Sequence, residues 1–76
     1  MRRNAFEIQA DLLGIAVEGS RKTRLVYQGN LNFNVIKPHL ERMLKAGLMD
    51  LIDGFYITTE KGRRFIQRFQ ALTDLQ

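Results

Sequence analysis

A chain of 76 residues without cysteine is sized for one domain over 1–76 and lacks a disulfide framework, a thiolate metal site and a cysteine nucleophile. Its 45% hydrophobic content excludes a disordered chain, and no apolar run approaches the roughly 18 residues of a membrane span. A net charge of +4 with a pI of about 10.0 points to nucleic acid as the partner.

The opening stretch MRRNAFEIQADLLGIAV has a basic pair, but Glu7 and Asp11 interrupt what a secretory signal would keep apolar. It therefore reads as the first helix, residues 4–17, of an intracellular protein. Ile8, Leu12 and Ile15 follow helical spacing, and Phe6, Ala10, Leu13 and Val17 make a second stripe beside them. So broad an apolar surface needs cover on two sides, from the rest of the chain or from a partner subunit. Gly19 is expected to end this helix.

Next, SRK reads as a short extended piece, with Thr23 capping a brief helix over residues 24–28. Gly29-Asn30 breaks the chain again. Asn32 or Asn34 then caps a helix running to Ala46, stopped by Gly47, with Ile36, Leu40, Met43 and Leu44 as its buried face. Proline inside a helix removes a hydrogen bond, so the regular helix is expected to start near Val35, with Pro38 in its first turn.

Leu48 to Ile52 and Phe55 to Thr58 flank Asp53-Gly54, which predicts a tight β-hairpin. Thr59 then reads as the cap of a last helix over residues 60–74, with Phe65, Phe69 and Leu72 as its apolar stripe and Ile66 alongside. A lone hairpin is marginal in water, so it must pack on the helices or take SRK as a third strand. Two helices around the short turn QGNLN, followed at once by a hairpin, predict an α+β winged helix-turn-helix: a three-helix core, a short β-hairpin wing and a C-terminal helix.

The segments RKTRLVYQGNLNF, LERMLKAGLMD and YITTEKGRRFIQRF resemble those of the archaeal winged helix-turn-helix regulators. That family has a KT-x-(I/L)-(M/V)-Y stretch before an NLN turn, and a (Y/L)-x-(I/L)-T-x-KG stretch joining wing to last helix. The resemblance covers residues 3 to 70 and implies a DNA-binding regulator or a small chromatin-type protein associated with the nucleoid. Gly29 and Pro38 depart from the family, which usually has alanine and a good helix former there.

In a helix-turn-helix the start of the second helix meets base edges while nearby cations hold phosphates. Asn34, Lys37, Pro38 and Glu41 lie off the buried stripe and form the base-facing set. Asn34 suits adenine, Lys37 guanine and Glu41 the cytosine amino group. Arg21, Lys22, Thr23, Arg24 and Tyr27, with Lys61 and Arg63 after the wing, are the backbone-contact set. Asp50 and Asp53 make the wing itself acidic, which disfavours phosphate there. The competing roles are helix caps for Asn34 and Thr23, partial burial for Tyr27 and an ordinary solvated helix face for Glu41.

Nothing suggests catalysis: His39 is the sole histidine, no nucleophile has a triad-like neighbour, and no glycine-rich phosphate loop occurs. No cofactor or metal is expected. A homodimer on double-stranded DNA is expected, because one reading helix covers few base pairs. Phe6, Leu13, Val17, Phe69, Leu72 and Leu75 are its candidate interface, with completion of the monomer core as their competing role. The alternative function is a winged-helix module that binds protein without DNA, which the acidic wing and the apolar first helix would suit.

Overall fold

The computed structural model describes residues 4–74. These form α1 (Ala5–Ile15), α2 (Lys22–Gln28), α3 (Phe33–Lys45), the strands β1 (Met49–Ile52) and β2 (Phe55–Thr58), and α4 (Glu60–Asp74). The expected order of elements is present, and three helices begin on the short polar side chains that helix starts favour. Asn4 accepts from the Glu7 amide at 2.8 Å, Asn32 from the Val35 amide at 2.8 Å, and the Thr59 hydroxyl from the Gly62 amide at 3.1 Å.

α2 is the exception. It starts at Lys22, with Arg21 in the capping position and no side-chain cap. Thr23 therefore lies inside the helix and does not cap it. The SRK segment is extended at Ser20 and Arg21 but pairs with β2 only at Ser20, whose amide and carbonyl both bond Tyr56, at 2.9 and 2.7 Å. The expected third strand is a single bridge, because Arg21 already accepts the first helical bond, from Leu25 at 3.2 Å.

α2 and α3 end alike. After α2, Asn30 adopts φ 55° and the amides of Asn30 and Leu31 turn back to Tyr27 and Val26. After α3, Gly47 adopts φ 76° and the amides of Gly47 and Leu48 turn back to Leu44 and Met43. Both arrangements satisfy otherwise orphaned helix carbonyls, and both require a left-handed residue. α1 closes at Ala16, so Gly19, at φ 95°, shapes the loop beyond the helix rather than its last turn.

Pro38 stands in the sixth position of α3, not in its first turn, because Asn32 rather than Asn34 provides the cap. The helix accommodates it on its solvent face, where Pro38 and Asn34 are both exposed. The Asn34 carbonyl is thereby deprived of its usual donor four residues on.

The core comprises Leu12, Leu13 and Ala16 of the α1 segment, Leu25 of α2, Ile36, Leu40 and Met43 of α3, and Leu48 and Met49 at the wing base. The wing is fixed to α1 by the Thr58 hydroxyl, which donates to the Leu13 carbonyl at 2.6 Å, and by the Thr58 amide, which bonds Ala16 at 3.0 Å. In the wing, Ile52 pairs Phe55 across Asp53 (φ 51°) and Gly54 (φ 82°), the two positive angles a two-residue hairpin loop requires. α4 passes so close to the wing base that a β-carbon on Gly62 would strike the Leu48 carbonyl oxygen and approach Thr58 Cγ2 to 2.7 Å.

Leu13 is wholly buried in this core. It cannot serve as the intersubunit residue expected of it, because its side chain already faces the inside of one chain. Phe6 and Leu72 are 64% and 65% exposed, Val17 and Phe69 are half-buried, and Leu75 lies outside the described residues.

Candidate nucleic-acid interface

α3 separates its two faces cleanly. Ile36, Leu40 and Met43 enter the core, and Asn34, Lys37, Pro38 and Glu41 are all exposed. The exposed four recur at i, i+3, i+4 and i+7, which is one helix stripe. Lys45, four residues beyond Glu41, extends the stripe and is exposed as well. Since Asn32 makes the capping bond, the Asn34 amide group is not committed to the helix start.

Behind this stripe, α3 is tied to α1 by a polar contact that spacing did not reveal. Gln9 is buried, and its amide nitrogen lies 3.4 Å from Nδ1 of His39. For the amide to donate, Nδ1 must be unprotonated, which makes Nε2–H the consistent tautomer. Burial lowers the His39 pKa, and the nearby Arg42 charge lowers it further. The ring is thus a neutral acceptor supporting α3 from behind.

The basic residues do not form one patch. At the α3 N-terminus, the Lys22 ammonium lies 5.8 Å from the centre of the Phe33 ring. Next to it, the Arg21 guanidinium stacks on the wing residue Phe55 at 4.5 Å. Thr23 and Tyr27 are exposed on α2. Arg24 faces elsewhere: it lines a cleft with Glu18, Gln28 and Phe69, between the end of α1 and α4. At the opposite end of α3, the Lys61 ammonium donates to the Ala46 carbonyl at 2.7 Å, and Thr59 donates to the Gly47 carbonyl at 2.6 Å. Arg63 is exposed one turn into α4. Cations therefore bracket α3 at both ends, about 20 Å apart for a helix of its length.

Sequence spacing missed Phe33, Phe55, Gln9 and Gly62. Phe33 stands three residues before Ile36, in phase with the buried stripe, so periodicity does not mark it as exposed. Phe55 looks like any strand residue. Gln9 and Gly62 owe their roles to neighbours distant in sequence, and local pattern carries no signal of that. The exposed wing residues are Asp50, Leu51, Ile52, Asp53, Gly54 and Phe55. Among the described residues, no group of three or more histidines or carboxylates is placed to hold a metal, and no helix is long and apolar enough to cross a membrane.

The family described as winged helix-turn-helix matches residues 2–76, in agreement with the resemblance carried by the RKTRLVYQGNLNF and YITTEKGRRF segments. Among curated protein sequences there is no match. Among solved structures, the fold is similar to that of Sso10a-2, a DNA-binding protein from Sulfolobus solfataricus, with a TM-score of 0.84. The identity is 24%, over 96% of this chain and 81% of that one.

Proposed function

We propose that this chain, which belongs to the winged helix-turn-helix family, is a single-domain, non-enzymatic protein that binds double-stranded DNA and regulates transcription. The observation that carries the proposal is α3: a solvent stripe of Asn34, Lys37, Pro38 and Glu41 on a helix locked from behind, with the Lys22 ammonium at its N-terminal end. The similarity in fold to Sso10a-2, a DNA-binding protein, supports the same assignment.

In this account α3 lies in the major groove. Asn34 pairs with an adenine edge and Lys37 with guanine N7 and O6, each worth about 1–3 kcal/mol of discrimination. Pro38 packs against a base edge without demanding a donor, and Glu41 accepts from cytosine N4. Arg21, Lys22, Thr23 and Tyr27 hold phosphates at one end of the helix, and Arg63 does so at the other. Arg24 and Lys61 are withdrawn from that set, the first because it faces the α1–α4 cleft, the second because Ala46 occupies its ammonium. The protein acts as a homodimer through Phe6, Val17, Phe69 and Leu72, so that two α3 helices meet successive half-sites. It is a cytoplasmic, nucleoid-associated protein of archaeal type.

The test is site selection from random duplexes, followed by Asn34→Ala and Lys37→Ala on the selected site. Each variant is expected to relax preference at one position and weaken binding roughly tenfold. Variants that bind the selected site as the parent does would remove α3 as the reader. A second reading is favoured by the exposed Leu51 and Ile52 beside Asp50 and Asp53: a wing that docks an apolar, basic protein surface. Loss of a protein partner on Leu51→Ser/Ile52→Ser, with no duplex binding at low salt, would favour it.

A further inference from the structure

Phe33 is 53% exposed and Phe55 is 39% exposed, yet neither is isolated. Lys22 lies against Phe33 and Arg21 against Phe55, and the two cations are neighbours in sequence. The result is a continuous row, ring–cation–cation–ring, running from the first turn of α3 across the start of α2 to the tip of the wing. A staple between these elements explains why the cations touch the rings. It does not explain why so much aromatic surface stays in water, which is unfavourable by about 25 cal/mol for each Å² of apolar area.

We propose that the Phe33–Lys22–Arg21–Phe55 row is a binding site for unpaired DNA, stacking open bases on its rings and guanidinium plane while the cations neutralise the adjoining phosphates. Three observations favour this occupant. Aromatic side chains grouped with cationic ones are the arrangement by which single strands are held without sequence preference, because every base has a π face. A closed duplex offers such rings nothing to stack on, since its bases already stack on each other. A protein partner is disfavoured by the lysine within the row, because buried interface centres are depleted of that residue. Arginine over an aromatic ring keeps its second face open, so a base can stack on the outer face of Arg21 above Phe55. The row adjoins the N-terminus of α3, so a strand leaving a duplex held there, at a melted or frayed site, would pass directly onto it. Single-strand binding goes beyond the duplex function and stands without it.

The test measures anisotropy of three labelled 20-mers at one salt concentration: a DNA strand, its blunt duplex, and the RNA strand of the same sequence. The parent is expected to bind the DNA strand within about tenfold of the duplex. Phe33→Leu/Phe55→Leu, which keeps apolar bulk and removes the π faces, is expected to weaken strand binding at least about tenfold and duplex binding less than about twofold. Phe33→Tyr/Phe55→Tyr should bind the strand as the parent does. If the leucine pair loses its helical circular dichroism, Phe33→Leu alone decides, with a loss of about fivefold expected. Binding of the duplex without the strand would overturn the inference and leave duplex recognition intact. A leucine variant that weakens both ligands equally, or neither, would overturn it also, as would tighter binding of RNA than of DNA. Binding of the strand without the duplex would support the row and sink duplex recognition; binding of neither would sink both.

Discussion

Lys61 donates its ammonium to the Ala46 carbonyl at 2.7 Å, at the negative end of the α3 dipole, where a cation is stabilising. In the sequence it is one more basic residue after the wing, and a phosphate contact is the natural expectation. Its partner lies 15 residues earlier in the chain, so only the fold discloses it. Lys61→Met is expected to lower stability by about 0.5–1 kcal/mol in urea unfolding and to leave the salt dependence of duplex binding unchanged. Arg63→Ala, by contrast, should reduce the slope of log K against log salt by about 0.9 with little effect on unfolding. His39 supplies the other test of a single residue. Its folded pKa is lowered, chiefly by burial, so the unfolded chain takes up the proton first as pH falls. The stability it contributes is whole above about pH 6.5, the unfolded value, and is lost as pH drops through the folded pKa. Protonation would also set Nδ1–H against the Gln9 amide group. His39→Gln should flatten the pH dependence of unfolding below about pH 6.5. Thr59 was legible residue by residue, because a cap bonds three residues away and its partner sits in the same short stretch; for α3 the same rule left Asn32 and Asn34 both open.

Elements were legible wherever their punctuation is local. Asp53-Gly54 identifies the hairpin, Gly47 the end of α3, and Thr59 the start of α4, and all three lie where spacing predicts. Two expectations fail because each ranks one local cost above the tertiary context. The missing amide of Pro38 predicts a start of α3 near Val35; instead Asn32 caps the helix at Phe33 and the missing bond is left on the exposed side. Pro38→Ala should therefore stabilise the protein by about 1–3 kcal/mol, since proline in a helix interior costs up to about 3 kcal/mol against alanine. A fall in Tm would show that the ring makes packing contacts its exposure does not suggest. Thr23 has the side chain of a cap for α2, but the bridge from Ser20 to Tyr56 sets where the chain turns, and helix starts at Lys22. Gly62 is the position between elements with no local signature. A methyl group there meets the Leu48 carbonyl, so Gly62→Ala should separate α4 from the wing base and cost about 1–3 kcal/mol. For a domain this small, that is a Tm lower by at least about 4 °C.

In the molecule as a whole, the second apolar stripe of the first helix is split: Ala10 and Leu13 are buried with Leu12 and Ala16, and Phe6 stays exposed. The Leu12, Leu13 and Ala16 side enters the core, while Phe6, stacked on Phe65 with centroids 6.5 Å apart, opens onto a groove with Phe69 and Leu72. Spacing could mark both stripes but not say how far along the second one the chain's own core would reach, because that depends on where α4 docks. Homodimerisation through the groove predicts that Phe6→Glu/Leu72→Glu is a folded monomer in sedimentation, and that its duplex binding weakens with loss of the second half-site. Leu13→Glu would unfold the chain and test nothing about assembly.

Whether α3 and the cations around it sit on duplex DNA is decided by titrating a labelled random duplex of about 20 base pairs at several salt concentrations. Binding is expected at low salt with a log-log slope steeper than about −3, the signature of several neutralised phosphates. Absence of binding at the lowest salt, or a slope near zero, would refute duplex recognition by this helix.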